Sequence, residues 1–158
     1  MTLETFNMVQ NTYTPLLSEV LDKVHKAKTK DKKVAILQEF DTEPLRMVIK
    51  SSFDPNIEWE MPSGAVPYQA NEAPIGTEHN VMRRECKKLY RFIKGGDPAL
   101  PRAKKETLFI QMLEGLHKSE AEMVVNAKDK KLHQVYKGLS AAVVKEAFNW
   151  NDDFIRNN

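Results

Sequence analysis

The sequence predicts an all-α fold, a single compact domain of six or seven short helices interrupted by a long proline-rich loop. Apolar residues recur at helical spacing on both sides of residues 54–76, and four of the eight prolines fall between those two limits. A chain of 158 residues, 41% of them hydrophobic, is long enough for one core. We therefore expect N-terminal helices over 14–53, the loop over 54–76, C-terminal helices over 77–148 and a frayed tail over 149–158.

Three short helices are predicted before the loop. Thr14 and Pro15 have the residue types of an N-cap and a first helical position, and an apolar stripe follows them. Thr29 is expected to cap the second helix and Thr42, followed by Pro44, the third.

The loop over 54–76 combines high proline content with acidic charge. Residues 54–80 carry five carboxylates and no Lys or Arg. Long loops inside compact domains are often functional, so the four apolar side chains that could anchor a partner are candidate partner-binding residues: Trp59, Met61, Val66 and Tyr68. The alternative is that these side chains fold inward and the loop only joins the two helical halves.

The segment after the loop predicts a helix from Thr77, as N-cap, to Lys94, with Gly95 and Gly96 as the stop signal. At 100° per residue its basic side chains lie within an arc of about 140°, opposite the apolar ones. These are the candidate nucleic-acid-binding residues: Arg83, Arg84, Lys87, Lys88, Arg91 and Lys94.

Three further helical segments are predicted toward the C-terminus. The helix over 101–116 has a wide apolar arc and is expected at the centre of the domain. Ser119 and Glu122 have the spacing of a capping box, and Ser140 is expected to cap the last helix. Residues 132–136 are expected to be extended and could form one small hairpin.

No pattern for catalysis or cofactor binding is present. Cys86 is the only cysteine, so no disulfide within the chain is predicted. The spacing of His79 and Cys86 matches no known metal-ligand motif, so no metal site is predicted. Paired carboxylates lack a companion base, and no glycine-rich phosphate loop occurs. No apolar run exceeds four residues. We therefore expect a non-enzymatic protein without a cofactor, in a reducing cytoplasm and not in a membrane.

The basic face leaves three interpretations open. It could bind DNA or RNA, it could receive the adjacent acidic loop, or it could simply be solvated. Residues 81–105 carry nine basic residues against two acidic ones, and this charge favours nucleic acid, whereas the overall net charge of +2 does not.

Several sequence motifs resemble an uncharacterised family of small proteins from T4-like tailed phages, notably those that infect marine cyanobacteria. The motifs are DPNI at 54–57, GTEH at 76–79, ETLFIQMLE at 106–114, KDKKL at 128–132 and YKGL at 136–139. The likeness spans roughly residues 17–148. It implies a phage-encoded protein made in the infected bacterium, either an accessory to DNA metabolism, transcription or host takeover or a minor virion component, and it does not choose among these. Our expectation is a non-enzymatic accessory or regulatory protein in the cytoplasm of the infected bacterium that binds a phage or host protein, with nucleic-acid binding or a minor virion component as alternatives. The oligomeric state stays open.

Overall fold

The computed structural model describes residues 14–74 and 79–157, and within them the protein is all-α, as predicted. No strand occurs in these ranges, apart from three isolated β-bridges. Eight α-helices and one 3-10 helix follow one another in the chain: α1 Leu17–Lys26, α2 Lys30–Glu39, α3 Glu43–Phe53, α4 Met82–Glu85, the 3-10 helix Cys86–Phe92, α5 Arg102–Gly115, α6 Lys118–Lys128, α7 Leu132–Val135 and α8 Ala141–Phe148.

The central helix is α6, not the predicted helix over 101–116. Helix α6 packs against α1, α3, α5 and α7, whereas α5 packs mainly against α6 and the 3-10 helix. Five α6 side chains are fully buried: Glu120, Ala121, Met123, Val124 and Ala127. The small side chains of Ala121, Val124 and Ala127 let several helices approach α6 closely, and this explains why α6 occupies the centre.

Helix starts follow the predicted caps in the polar loops and differ from them elsewhere. The side chains of Thr29, Thr42 and Ser140 each accept a backbone N–H hydrogen bond at the start of α2, α3 and α8. Helix α1 begins at Leu17, after Thr14 and Pro15, and α6 is capped by His117 instead of Ser119.

The predicted helix over 77–94 is shorter and changes type along its length. Helix α4 forms one turn and continues as a 3-10 helix that ends at Phe92. Its buried residues Cys86, Leu89 and Phe92 are three apart, and a spacing of three keeps them on one side of a 3-10 helix. The predicted cap Thr77 lies outside the described residues.

The C-terminal part is more ordered than expected. Residues 132–135 form helix α7, so the predicted extended segment and hairpin are wrong. In the predicted frayed tail, Trp150 and Phe154 are only 7% and 8% exposed and pack with Phe148 in the core. Asn149 adopts the left-handed conformation that ends α8 and turns the tail back.

Candidate functional site

The segment 83–94 keeps most of its predicted cations at the surface. Because residues three apart lie above one another in a 3-10 helix, this segment has three rows of side chains. One row is the buried set of Cys86, Leu89 and Phe92, and the outer rows contain Lys87 with Tyr90, and Lys88 with Arg91. The change of helix type therefore keeps the basic side chains apart from the core, although they do not form the single α-helical face that was predicted.

The six predicted cations differ in exposure and pairing. Arg84, Lys87, Lys88 and Lys94 are exposed, whereas Arg83 and Arg91 are half-buried. Lys88 pairs with Glu85 at 2.9 Å and Lys94 with Glu58 at 3.3 Å. The Lys94–Glu58 pair is exposed on both sides and therefore weak, whereas the Glu85 side chain that pairs with Lys88 is only 13% exposed. Among the described residues, Arg84 and Lys87 form no ion pair. These side chains can exchange their contacts for those of an anionic ligand at little cost.

A cavity of about 230 Å³ continues the basic surface toward α5. Lys88 and Arg91 line this cavity together with the carboxylate Glu85 and with Leu108 and Gln111 of α5. Lys104 lies one helical turn before Leu108 on the same side of α5 and is exposed. The surface that extends from Arg84 to Lys104 is called the basic surface below.

The proline-rich loop docks beside the basic surface rather than over it. The backbone N–H of Glu60 donates to the carbonyl of Phe92, and the N–H of Lys94 donates to the carbonyl of Glu58, at 2.7 and 2.8 Å. These bonds form the isolated bridge between Trp59 and Ile93. In the described part of the loop, these two hydrogen bonds are made to the C-terminal end of the segment.

Three lysines outside the predicted basic set hold the loop. Lys128 is 5% exposed and its Nζ donates to the carbonyls of Pro62 and Gly64 and to the carboxylate of Asp129, at 2.7, 3.1 and 2.6 Å. Lys105, 2% exposed, pairs with Glu60 at 3.2 Å, and Lys130 donates to the carbonyl of Asp54 at 2.6 Å. Burial lowers the pKa of Lys130, and the charges of Asp54 and Glu58 oppose this shift.

The four predicted partner-binding residues pack against the core. Met61 is buried, and Trp59, Val66 and Tyr68 are half-buried beside it. The indole N–H of Trp59 donates to the carbonyl of Ser51 at 3.0 Å, and its ring meets Phe109 edge-on with centroids 6.1 Å apart. Burial raises the pKa of the Tyr68 hydroxyl, with the charge of Glu122 adding to the rise. This packing favours the alternative in which these side chains attach the loop to the domain.

Glu120 is a buried carboxylate near the start of α6. It is 1% exposed, and its two oxygens accept the backbone N–H of Leu17 at 3.1 Å and of Met82 at 2.9 Å. Burial raises the pKa of this carboxyl group, and the two N–H donors oppose the rise. Its spacing of four and seven residues from Val124 and Ala127 is the signal that could have placed it on the buried side of α6.

The His79 and Cys86 pair is not arranged as a metal site. The thiol of Cys86 donates to the carbonyl of Arg83 at 3.3 Å, and burial raises its pKa, which disfavours the thiolate that binds metals. Nε2 of His79 contacts the carbonyl of Ala73 at 2.9 Å, and its ring stacks edge-on with His117 at 5.3 Å. Over residues 14–74 and 79–157, no group of three His, Cys, Asp or Glu side chains is arranged to hold a metal ion.

Comparison with known proteins gives one family. No curated protein and no solved structure matches the chain. Among the described helices, none combines the length and apolar character needed to cross a membrane. The model of the family described as Family of unknown function (DUF6433) matches residues 20–134, which are most of the chain, and the protein belongs to that family.

Proposed function

We propose that this protein is a non-enzymatic binding protein whose basic surface binds nucleic acid. The observation that supports the proposal is the set of exposed cations on the outer rows of segment 83–94, of which Arg84 and Lys87 have no carboxylate partner among the described residues. Cations that the fold does not use are available for phosphates, and each phosphate contact releases a condensed counterion. Beside the part of the proline-rich loop that the structure describes, residues 54–74, the side chains of Arg84, Lys87 and Lys88 are exposed.

The cellular setting belongs to the same proposal. The motifs that resemble proteins of T4-like phages support a phage-encoded accessory of DNA metabolism or transcription that acts in the cytoplasm of the infected bacterium. A packaged, minor virion component is the competing role. Antibody detection in purified virions and in infected-cell lysate distinguishes the two, and exclusive recovery in virions would contradict the accessory role.

Fluorescence anisotropy with labelled DNA and RNA oligonucleotides tests nucleic-acid binding. At about 50 mM salt and micromolar protein we expect binding, and three or four phosphate contacts should weaken it roughly 20- to 150-fold by about 200 mM salt. Replacing Arg84, Lys87 and Lys88 together by Gln should lower the slope of log affinity against log salt by about 2 to 3.

A matched control removes the same charge from another basic region. Lys28, Lys32 and Lys131 are exposed and form no ion pair among the described residues, and the first two belong to the lysine-rich stretch 23–33. Their triple replacement by Gln should leave the salt slope within 1 of the wild type. An equal loss in both triple variants would show a diffuse charge effect, and no binding at low salt would overturn the proposed function.

Binding of a phage or host protein is the second candidate function. It is favoured by an apolar cavity of about 200 Å³ between the proline-rich loop and α5, lined in part by Met61, Val66, Phe109 and Ile110. Val66→Glu places a charge at this cavity. A protein that is retained by the wild type from infected cells and lost by this variant would support the second candidate, whereas equal retention would contradict it.

A further inference from the structure

Tyr90 is an exposed aromatic side chain in the middle of the basic surface. Three large hydrophobic side chains of the described residues are exposed, Tyr90, Val135 and Ile155, and Tyr90 is the aromatic one. It is 49% exposed, whereas the half-buried Trp59 and Tyr68 pack against the core. Tyr90 occupies the same row of the 3-10 helix as Lys87, one turn apart.

An open apolar pocket lies beside Tyr90. Its volume is about 440 Å³, and its lining is mainly hydrophobic side chains and a glycine turn: Met47, Ile57, Leu89, Tyr90, Ile93, Gly95 and Gly96, with Lys50, Ser51 and Lys94 as polar members. Gly95 has a φ of +85°, and a Cβ on Gly96 would lie 1.9 Å from the carbonyl oxygen of Tyr90. The glycine turn therefore packs directly against the backbone of Tyr90, as no residue with a side chain could.

Cations line this pocket, and one of them, Lys50, lies 3.9 Å from the buried carboxylate of Asp54. Lys50 and Lys94 line it, and the Arg91 guanidinium lies 5.8 Å from the Tyr90 ring centroid, with Nε donating to the Tyr90 hydroxyl at 3.4 Å. The carboxylate of Glu58 faces Lys94, but both side chains of this pair are mostly exposed and screened. An aromatic platform next to cations is the arrangement with which proteins bind single-stranded nucleic acid, because bases stack on the ring while cations contact phosphates.

We propose, building on the proposed function, that the ligand is a single strand and that one of its bases stacks on Tyr90 over the apolar pocket. Lys87 and Arg91 contact the phosphates next to that base. In a duplex the base faces are covered by neighbouring pairs and cannot reach a side chain at the surface, so the platform discriminates between single and double strands. Because stacking uses the face that all bases share, single-stranded DNA and RNA are both expected to bind.

The test compares three fluorescein-labelled DNA probes of about 12 nucleotides, which is within the site sizes of single-strand binders. They are a thymidine single strand, its abasic counterpart with the same phosphates, and a duplex. Wild-type protein should bind the thymidine strand about 5- to 150-fold more tightly than the abasic strand, as expected for one stacked base, and should also prefer it to the duplex.

Tyr90→Ala should remove this difference between thymidine and abasic strands without changing the salt slope, because no cation is lost. Tyr90→Phe keeps the aromatic face and should bind like the wild type. Circular dichroism and thermal unfolding check that both variants fold, as expected for an exposed position.

The outcomes separate this inference from the proposed function. Salt-dependent binding that is equal for the thymidine and abasic strands, or unchanged in Tyr90→Ala, would overturn the stacking site and leave nucleic-acid binding intact. No binding of any probe would overturn both. The wild type could instead prefer the duplex and lose this preference in the Arg84, Lys87 and Lys88 triple variant. That result would overturn the stacking site and show that the basic surface binds double strands.

Discussion

Lys128 and Lys87 show two opposite uses of the same residue type. Lys128 lies in the interior, where its ammonium group satisfies two loop carbonyls and one carboxylate. Lys87 lies at the surface and has no ion-pair partner among the described residues. The buried lysine attaches the loop to the domain, whereas the exposed lysine belongs to the surface that we propose binds nucleic acid. The sequence gives the position of each lysine, but its charge pattern does not distinguish a buried lysine from an exposed one.

The largest effect on stability is expected at Glu120. Glu120→Ala removes the acceptor for the N–H groups of Leu17 and Met82, and two lost hydrogen bonds to a charged group cost about 3 to 6 kcal/mol. Urea unfolding measures the change. Glu122→Ala, at an exposed position of the same helix, is the control and should cost less than about 0.5 kcal/mol. A similar loss of unfolding free energy in both variants would show that the Glu120 carboxylate does not stabilise the first residues of α1 and α4.

A smaller effect is expected at Lys128. Lys128→Met keeps an apolar stem but leaves the carbonyls of Pro62 and Gly64 without this donor, and we expect a loss of about 1 to 3 kcal/mol. Limited proteolysis should then cleave the loop faster. Lys131→Met, at an exposed position, is the matched control, and equal rates of cleavage in the two variants would contradict the role of Lys128.

Acidification should weaken the start of α6. Burial lowers the pKa of His117, the neighbouring His79 and Lys118 lower it further, and Glu19 and Glu122 oppose this shift. Its Nδ1 accepts the N–H of Ser119 at 3.1 Å, so the cap needs the neutral ring. Because the unfolded chain binds the proton more readily, the free energy of unfolding should fall as the pH drops below about 6.5, the ordinary value of this residue.

The His117→Asn variant isolates that effect. Asn is a good N-cap whose side chain does not titrate near neutral pH. The variant should therefore lose less stability than the wild type between about pH 7 and pH 5 in thermal unfolding scans. Glu120 and the other titratable groups remain in both proteins. Parallel pH profiles would assign the acid sensitivity to those groups instead of His117.

The smallest effect on stability is expected from the basic surface. Arg84→Gln, Lys87→Gln and Lys88→Gln together should change the free energy of unfolding by less than about 1 kcal/mol, because exposed charges with weak or no partners contribute little. Urea unfolding of this triple variant beside Glu120→Ala gives the direct comparison. A large loss in the triple variant would mean that these cations serve the fold.

The sequence was sufficient for the class of the fold and for its local boundaries where caps are strong. Thr29, Thr42 and Ser140 cap helices as expected because their side chains act on N–H groups three residues away. The burial of Trp150 and Phe154 could not be predicted from local sequence signals. It depends on contacts that form after the chain turns back at Asn149. Capping residues predict where a helix begins, but they do not predict which distant side chains pack against each other.

The candidate site was predictable in position but not in shape. The clustering of cations over 83–94 follows from the sequence, whereas the 3-10 geometry that places Lys87 and Tyr90 in one row does not follow from an assumed 100° rotation. Trp59 and Tyr68 are half-buried and pack against the core, and their partner-binding role stays a prediction. An apolar side chain in a loop is equally compatible with an anchor for a partner and an anchor for the loop itself.

The tail packing also defines the unit that folds, and this unit is longer than the matched family region. Residues 20–134 omit α8, whose buried residues cover α2, as well as Trp150 and Phe154. They also omit Leu17, which supplies one of the two N–H donors to Glu120. A fragment cut at the limits of the family match would expose Val34 and Leu37 to water and leave a buried carboxylate half satisfied. Expression of this protein for binding or structural experiments should therefore retain the segments on both sides of the family match.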